Sequence, residues 1–428
     1  MTEGAPSAAV VSVGNELLFG ETVDTNAAWL GRELTTLGIP VVRRYTVGDV
    51  AEDIAWAVRE ATEMTDLVMV TGGLGPTPDD LTKPTVAVEF DLALTRDDLM
   101  LETLKARYGS GGHDEVPLAA RVQAEIPEGS TVLENPEGTA PGILLRTRNA
   151  TVVLLPGVPR EMRAIVKGAL RPHLEAMRPV HAERVWHHVT HTTGIVESRL
   201  TEQVEARMAE LPGEIRTPVG VAYLPDVYGV DLRFSASGVS RDEARARIAP
   251  LLDAIDEVVA PYRFECASGD LAEAVSTELR NRGMKMATAE SCTGGLIAKR
   301  ITDRPGSSEV FAGGVVAYSN RVKVEQLGVR VEDIERFGAV SEAVAHQLAG
   351  GVAALLHADV GIGVTGVAGP SGGSVEKPVG TIWIGTSVRG EVETFLGHYS
   401  GDRETVRARA GQAALASVYR RLLNASKG

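Results

Sequence analysis

The chain has 428 residues, which at roughly 150 residues per domain is enough for about three domains. It carries 43 Lys and Arg against 57 Asp and Glu, a net charge of −14, and aromatic residues make up only 4% of it. An acidic chain with few aromatic rings repels phosphate backbones and anionic lipid and offers few stacking surfaces, so direct nucleic-acid binding and membrane binding are not expected.

The cysteines, the N-terminus and the glycines point to a compartment and a fold class. Two cysteines, Cys266 and Cys292, are too few for a disulfide framework or a complete zinc cage, which favours a reducing cytosol. The N-terminus lacks the pattern of a signal peptide, and no apolar run approaches about 18 residues. The 46 glycines and the aliphatic composition are typical of α/β folds with glycine-rich ligand loops. We therefore expect a cytoplasmic α/β protein.

The first predicted elements alternate between strand and helix. Ala8 to Val13 and Leu67 to Val70 are predicted strands; Ala27 to Leu37, preceded by a polar cap at residues 24–26, and residues 50–63 are predicted helices. This alternation indicates a parallel, doubly wound sheet, in which ligands bind beyond the carboxyl ends of the strands. The loops expected to meet at that edge are residues 14–16, 71–82 and 155–159.

The loop at residues 71–82 has the composition of a phosphate ester site. The amides of Gly72 and Gly73 can approach an anion, and Asp79 and Asp80, with Glu16 from another strand end, could hold a divalent ion. The alternative is a tight turn in which Asp80 caps the next helix. The loop matches neither a P-loop nor a dinucleotide fingerprint, so it leaves both interpretations open.

Five segments of this region, taken in order, resemble the N-terminal domain of CinA proteins. They are residues 14–18, 24–26, 71–82, 135–142 and 155–162. The resemblance implies a molybdopterin-binding-like fold and hydrolysis of the pyrophosphate of ADP-ribose, assisted by a divalent metal of unknown identity at Glu16, Asp79 and Asp80. The residues implied for the nucleotide pocket are Asn26, Thr71, Gly72, Gly73, Thr139 and Gly157.

Five of the nine histidines fall between His173 and His191, which raises the question of a zinc site. On a strand, His187 and His191 point to one face and His188 to the other, so only two can converge. We therefore expect an exposed or interface strand here rather than a metal site.

The rest of the middle region has an α+β order. Residues 194–198 open an amphipathic helix, Tyr228 to Ser235 alternates like a half-buried strand, and residues 242–254 are predicted to be helical. This order resembles the KH-like middle domain of CinA proteins. The region has neither a G-x-x-G clamp nor a basic face, so RNA binding is not predicted.

Ser291 lies on a predicted glycine-rich turn between a strand and a helix. The flanking elements are predicted at Leu271 to Arg282 (helix), Lys285 to Ala289 (strand) and Leu296 to Ile301 (helix). Amides at such a turn can stabilise an oxyanion beside a nucleophile. No histidine lies near, so Lys323 is the preferred base, and it must be partly neutral through burial or a nearby cation. The alternative is that Ser291 only caps the helix and Lys323 is a surface charge.

Five further segments resemble the CinA C-terminal domain, whose family activity is deamidation of nicotinamide mononucleotide. They are residues 289–295, 314–320 with Lys323, 363–370, 377–380, and 401–403 with Arg407. The resemblance implies Ser291 as nucleophile, Lys323 as general base and Tyr318 as a proton relay that orients the pair, with no cofactor. The implied substrate contacts are Thr293, Gly294, Gly295, Thr365, Gly366, Ala368, Gly369, Arg403 and Arg407, with an arginine on the phosphate.

Three details concern the residue roles that the resemblance implies. Cys292 is a rival nucleophile beside Ser291, and Glu290 is expected to balance charge rather than to act in catalysis. After Pro370 the family usually carries an uninterrupted glycine run, whereas here Ser371 precedes the glycines. The substrate loop is therefore the part where this chain departs from the family pattern.

The leading hypothesis is a bifunctional pyridine-nucleotide hydrolase. It consists of a molybdopterin-binding-like domain (1–170), a KH-like α+β domain (171–265) and a C-terminal α/β deamidase domain (266–428), and the resemblance implies a homodimer. Its partners would be small nucleotides, nicotinamide mononucleotide and ADP-ribose. One alternative is that the N-terminal domain binds a pterin or nucleotide without turnover, because fold alone does not decide function. Another is a scaffold in DNA uptake, which no basic stripe supports.

Overall fold

A computed structural model of the chain describes residues 6–110, 115–177, 184–238 and 240–424. The chain divides into two units, Met1–Trp186 with Ser237–Arg245 and His187–Ala236 with Ala246–Gly428. No described helix is both long enough and apolar enough to cross a membrane.

The first unit is built on a six-stranded sheet with the strand order β2-β1-β3-β8-β7-β6. Strands β4 and β5 form a separate antiparallel pair. The strands of this unit are β1 (Ala8–Val13), β2 (Val41–Val47), β3 (Leu67–Thr71), β4 (Leu94–Arg96), β5 (Glu125–Pro127), β6 (Thr131–Leu133), β7 (Gly142–Arg146) and β8 (Thr151–Leu155).

Four of the six strands are parallel, and the other two are not. Strands β2, β1, β3 and β8 pair in parallel, whereas β7 runs antiparallel to β8 and β6 antiparallel to β7. The connection from β7 to β8 is too short for a crossover helix, so these strands can only form a hairpin. The predicted parallel sheet is therefore correct for the half that carries the ligand loops, and its other edge is antiparallel.

Helices cover both faces of this sheet. Ala8 and Val10 of β1 pack with buried residues of α2, α7 and α8, and Ala9 and Val11 pack with those of α3 and α4 on the opposite face. The doubly wound arrangement is thus confirmed. The helices are α1 (Asn15–Leu18), α2 (Thr25–Thr36), α3 (Ala51–Met64), α4 (Thr82–Glu89), α5 (Asp98–Ser110), α6 (Leu118–Arg121), α7 (Pro159–Lys167) and α8 (Arg171–Ala176), with a 3₁₀ turn at Val122–Ala124.

The middle region forms a four-stranded sheet with the order β10-β11-β9-β12. Along β11 every second residue is buried, which confirms the half-buried strand predicted from its alternation. Its elements are β9 (Arg184–Thr192), α9 (Glu197–Ala209), α10 (Gly213–Arg216), β10 (Val219–Pro225), β11 (Val230–Gly238), α11 (Arg241–Val259) and β12 (Arg263–Phe264).

The C-terminal region is a five-stranded sheet with the order β14-β13-β15-β16-β17. The first three strands are parallel and the last two antiparallel, so the carboxyl ends of β14, β13 and β15 meet at one edge. Its elements are α12 (Leu271–Asn281), β13 (Met286–Glu290), α13 (Leu296–Thr302), a 3₁₀ turn (Ser307–Glu309), β14 (Phe311–Val316), α14 (Asn320–Leu327), α15 (Val331–Phe337), α16 (Glu342–Leu355), β15 (Val360–Gly366), β16 (Thr381–Val388), β17 (Glu391–His398) and α17 (Arg403–Asn424).

Candidate active site

Ser291 opens the turn that joins β13 to α13. Its amide donates to the Val364 carbonyl on the neighbouring strand at 2.9 Å, which fixes the turn to the sheet edge. Gly294 and Gly295 have φ values of 61° and 91°, a left-handed backbone that side chains disfavour. The glycines of this motif are therefore required by the sharp reversal that places Ser291 at the strand end.

Lys323 of α14 lies directly beside Ser291. Its Nζ is 3.1 Å from Ser291 Oγ and contacts the carbonyls of Ala317 at 2.8 Å and Tyr318 at 3.3 Å. Lys323 is only 2% exposed, and burial holds the pKa of its amine below the ordinary value. A neutral amine has two N–H donors for the two carbonyls and one lone pair for the serine hydroxyl. The geometry therefore suits a lysine that accepts the Ser291 proton.

Glu290 has a structural role that the sequence did not reveal. It is 1% exposed, and its carboxylate accepts from the amides of Gly295, Ile297 and Ala298 at 3.0, 3.1 and 2.8 Å. These amides begin α13, so the carboxylate caps the positive end of that helix. The signal was an acidic residue just before a glycine turn that leads into a helix. Glu290 therefore holds the turn in shape rather than facing substrate.

The Ser291 turn offers backbone amides beside the nucleophile. The amides of Cys292 and Thr293 hydrogen-bond the weakly accepting Cys292 thiol, and the Gly294 amide donates to no oxygen atom of the described residues. Amides in this position are the kind of donor that an oxyanion hole needs. The Ser291 turn thus combines a nucleophile, a base and candidate oxyanion donors.

Cys292 is a poor rival to Ser291. Its side chain is buried, and burial raises the pKa of the thiol to about 12. The thiolate is the reactive form of cysteine, so this side chain is inert at neutral pH.

Tyr318 approaches the pair through its backbone. Its carbonyl contacts Lys323 Nζ, whereas its phenol is 64% exposed and its hydroxyl accepts from Arg403 Nη2 at 3.3 Å. The structure therefore places this hydroxyl beside Arg403. A proton relay would need it between Ser291 and Lys323. Tyr318 orients the lysine by its carbonyl alone.

The two predicted phosphate arginines lie on the first turns of α17 and reach the site. Arg407 donates to the Thr293 carbonyl at 3.2 and 2.7 Å through Nε and Nη2, and Arg403 Nη1 donates to the Gly369 carbonyl at 2.7 Å. They bring the Ser291 turn and the loop after β15 to one cationic end of α17. Donors of each guanidinium remain for an anion.

The end of β15 and the loop after it are mostly buried. Thr365, within β15, donates through Oγ1 to the Ala339 carbonyl at 2.7 Å, and Ala368 and Gly369 of the loop are buried as well. Gly366, the last residue of β15, is partly exposed, and a Cβ there would lie 2.6 Å from the Thr381 carbonyl. Of the four predicted contacts at this strand end, Gly366 is therefore the most accessible.

The first unit has a second candidate site at the carboxyl ends of β1, β3 and β8. Asn26 Nδ2 donates to the Gly157 carbonyl at 2.7 Å and to Thr71 Oγ1 at 3.2 Å, and a Cβ on Gly72 would lie 2.1 Å from the Val13 carbonyl. The structure thus brings Asn26, Thr71, Gly72 and Gly157 together, with Gly73 next in the loop. It gives Thr139 no hydrogen bond to this group among the described residues.

The predicted metal ligands do not form a ready-made set. Asp80 accepts from the Thr77 amide at 2.8 Å and from its hydroxyl at 2.5 Å, and Glu16 and Asp79 are exposed. Within the described part of the chain, no three His, Cys, Asp or Glu side chains are close enough to share a metal. The structure therefore does not bring Glu16, Asp79 and Asp80 together as a metal cage, and metal binding here stays a prediction.

Comparison with known proteins gives matches in all three regions of the chain. Three family models match it: a probable molybdopterin binding domain at residues 9–176, the damage-inducible protein CinA KH domain at 187–264 and the CinA C-terminal domain at 268–422. A CinA-like protein of Gemmatimonas aurantiaca is 42% identical over 95% of this chain and 94% of its own length. The chain belongs to the CinA family. A putative competence-damage inducible protein of Halothermothrix orenii is 38% identical over 97% of this chain and 98% of its own.

Solved CinA structures are also similar. The crystal structure of the protein CinA with unknown function from Thermoplasma acidophilum is 41% identical, and the match covers 40% of this chain and 98% of that one at a TM-score of 0.38.

The histidines of this CinA chain have partners on their own sheet. His187 Nδ1 lies 2.8 Å from Ser235 Oγ, and His191 Nδ1 lies 2.8 Å from Asp231 Oδ1. Burial and nearby Arg233 lower the pKa of His187. His181 falls outside the described residues. His187, His188 and His191 are thus side chains of β9, whereas His173 lies in α8, and no group of three metal-ligating side chains is found within the described residues.

Proposed function

We propose that the C-terminal domain hydrolyses the carboxamide of nicotinamide mononucleotide to nicotinate mononucleotide and ammonia. The observation that carries this proposal is the 3.1 Å contact between Ser291 Oγ and a buried Lys323 Nζ. Burial lowers the pKa of this lysine, and a serine beside such a lysine is a nucleophile with its base, the arrangement used by Ser-Lys amidohydrolases.

Each step can be assigned to an atom of the chain. Lys323 Nζ takes the Ser291 proton as Oγ bonds to the carboxamide carbon, and the amides of Cys292, Thr293 and Gly294 stabilise the resulting oxyanion. Collapse of the tetrahedral intermediate breaks the carbon–nitrogen bond, and the lysine ammonium returns its proton to the departing nitrogen, which leaves as ammonia. Water then attacks the acyl ester, Lys323 accepts its proton and passes it to Ser291 Oγ, and the acid is released.

Charge at the site suits a phosphorylated substrate. Arg403 and Arg407 place two cations beside the Ser291 turn, in a chain whose net charge of −14 otherwise repels anions. Guanidinium groups pair with phosphate through two parallel hydrogen bonds. The arginines therefore select the mononucleotide over free nicotinamide.

Product analysis with the full-length wild-type protein tests this proposal. We expect ammonia and nicotinate mononucleotide in equal amounts from nicotinamide mononucleotide, followed by coupled ammonia detection and mass spectrometry. Release of free nicotinamide instead would mean that the glycosidic bond is cleaved, and the proposal would then be wrong. Free nicotinamide is the matched control substrate, since it lacks the phosphate.

The N-terminal domain is proposed to bind ADP-ribose and to hydrolyse its pyrophosphate. This second activity is favoured by the buried Asn26 Oδ1 and Thr82 Oγ1, which have no hydrogen-bond partner among the described residues. Buried polar atoms are rarely left unpaired, so these atoms suit a ligand that donates hydrogen bonds. A ribose hydroxyl or an adenine amino group is such a donor.

The side chains at this site suit a metal ion that is held by one carboxylate and the substrate phosphates. Mg²⁺ usually takes one or two carboxylates together with substrate phosphates rather than a protein cage. Asp79 is exposed, so its carboxylate is accessible to a metal ion. A bound metal would neutralise the diphosphate charge, and Asp79 is the residue that would hold it.

The Asp79→Asn variant is expected to lower Mg²⁺-dependent release of AMP from ADP-ribose by at least about tenfold, because an amide is a weaker ligand than a carboxylate. Chromatographic quantification of AMP over a Mg²⁺ titration measures this loss. Asp53→Asn, an exposed aspartate in the first turn of α3, is the control. Tight retention of ADP-ribose by the wild type with no AMP would favour a binding module without turnover.

A further inference from the structure

A polar cluster joins the middle region to three helices of the deamidase domain. We call it the Arg300 cluster, and it consists of Thr193, Tyr228, Asp270, Arg300 and Gln412. Its members come from the end of β9, the β10–β11 connection, the N-cap of α12, α13 and α17. None of them belongs to the proposed catalytic or substrate-binding residues.

Arg300 is the centre of the cluster and is 7% exposed. Its Nη2 donates to Asp270 Oδ1 at 2.5 Å and to Gln412 Oε1 at 2.9 Å. The guanidinium carbon stands 4.4 Å from the centroid of the Tyr228 ring, a cation–π contact. One buried cation is therefore held by a carboxylate, an amide and an aromatic face.

The middle region supplies two of these contacts and links them to each other. Gln412 Nε2 donates to Thr193 Oγ1 at 3.1 Å, and Thr193 Oγ1 donates to the Tyr228 carbonyl at 3.2 Å. Thr193 is also buried. Buried hydrogen-bond networks of this kind fix the geometry of the elements that carry them.

Two of the helices that meet at Arg300, α13 and α17, border the Ser291 turn. α13 follows the Ser291 turn directly, and its first amides are bound by Glu290. α17 carries Arg407, whose guanidinium holds the carbonyl of Thr293 in the same turn. A shift of α13 against α17 would therefore move the Ser291 turn relative to Lys323.

We propose that the KH-like middle domain positions the deamidase site through the Arg300 cluster, with Tyr228 as the positioning residue. The role in catalysis rests on the proposed deamidation of nicotinamide mononucleotide. Tyr228 touches no reacting atom, and it acts by holding Arg300 and thereby the register of α13 against α17.

The test compares full-length variants at Tyr228. Tyr228→Leu removes the aromatic face and is expected to lower kcat at least about fivefold with KM changed less than about twofold, because a small misplacement of a nucleophile slows the chemical step. Tyr228→Phe keeps the ring and is expected to retain wild-type kcat. Tyr223→Leu is the matched control, since that tyrosine binds Glu205 within the middle region and leaves the cluster intact.

A second readout does not need the deamidase activity. Hydrogen–deuterium exchange of the α13 amides, measured by mass spectrometry, is expected to become faster in Tyr228→Leu and in the conservative Thr193→Val, but not in Tyr228→Phe or Tyr223→Leu. Unchanged exchange in both cluster variants overturns the proposal, as does a loss of kcat in Tyr228→Phe equal to that in Tyr228→Leu. If the wild type releases no ammonia, the proposed function fails, and faster exchange still supports the coupling of the middle domain to α13.

Discussion

Replacing Ser291 with alanine is expected to lower kcat for ammonia release from nicotinamide mononucleotide by at least about 1,000-fold, with KM changed little. The substitution removes the only atom proposed to bond to the carboxamide carbon. The turn keeps its shape, because it depends on the Ser291 amide bonded to Val364 and on the Glu290 cap, not on the hydroxyl. Initial rates of ammonia release over a range of substrate concentrations measure both constants.

Cys292→Ala is the matched control for this result. It alters the neighbouring side chain in the same turn, and kcat is expected to stay within about threefold of wild type because the buried thiol is protonated at neutral pH. Loss of activity in Cys292→Ala together with retention in Ser291→Ala would exchange the two roles. Trapping of the acyl-enzyme intermediate tests the nucleophile independently. An oxygen ester on Ser291 is expected, since the proposed intermediate is bonded to Ser291 Oγ.

The Ser291 and Lys323 pairing was expected from the lack of a nearby histidine and from the resemblance to the CinA C-terminal domain. The residues alone left open a serine that only caps the helix and a lysine at the surface, because β14, which leads to Lys323, was not predicted. The doubly wound first unit could be predicted from alternating strand and helix patterns. Local pattern therefore sufficed for the fold of the first unit, whereas the Ser291 and Lys323 pairing needed the family resemblance as well.

The direction in which a long side chain points could not be predicted. The family resemblance implied Tyr318 as a proton relay that orients the serine and lysine, but its carbonyl contacts Lys323 and its hydroxyl contacts Arg403. Glu290 likewise turned toward helix amides. Both outcomes depend on backbone orientation at a strand end, which apolar periodicity does not encode.

Contacts between segments far apart in the chain could not be predicted from the sequence either. Gln412 meets Thr193 across 219 residues, and Arg300 meets Gln412 across 112. Isolated polar residues inside helical patterns look like ordinary surface positions until the packing partner is known.

One helix boundary in the first unit also differs from the prediction. Asn26 was placed before the helix, but α2 begins at Thr25 with Asp24 accepting from the Ala27 amide, so Asn26 lies within its first turn.

Lys323→Met is expected to lower kcat by about 1,000-fold, within the range of general acid–base catalysis. Methionine has a similar length and fits a buried site, but it has no lone pair that accepts the serine proton. The wild-type pH profile should report the same group. The neutral amine is the active form and burial lowers its pKa, so kcat/KM is expected to rise with pH and to level off below the ordinary lysine value of about 10.4.

Lys299→Met separates this effect from a general loss of positive charge. Lys299 is an exposed lysine of α13 paired with Asp303, and its replacement is expected to leave both kcat and the pH profile unchanged. In Lys323→Met, the residual rate should lose the rise with pH, since the group that titrates is gone. A variant that kept the wild-type rise would show that another residue titrates, and Ser291 would then need a base other than the buried amine 3.1 Å away.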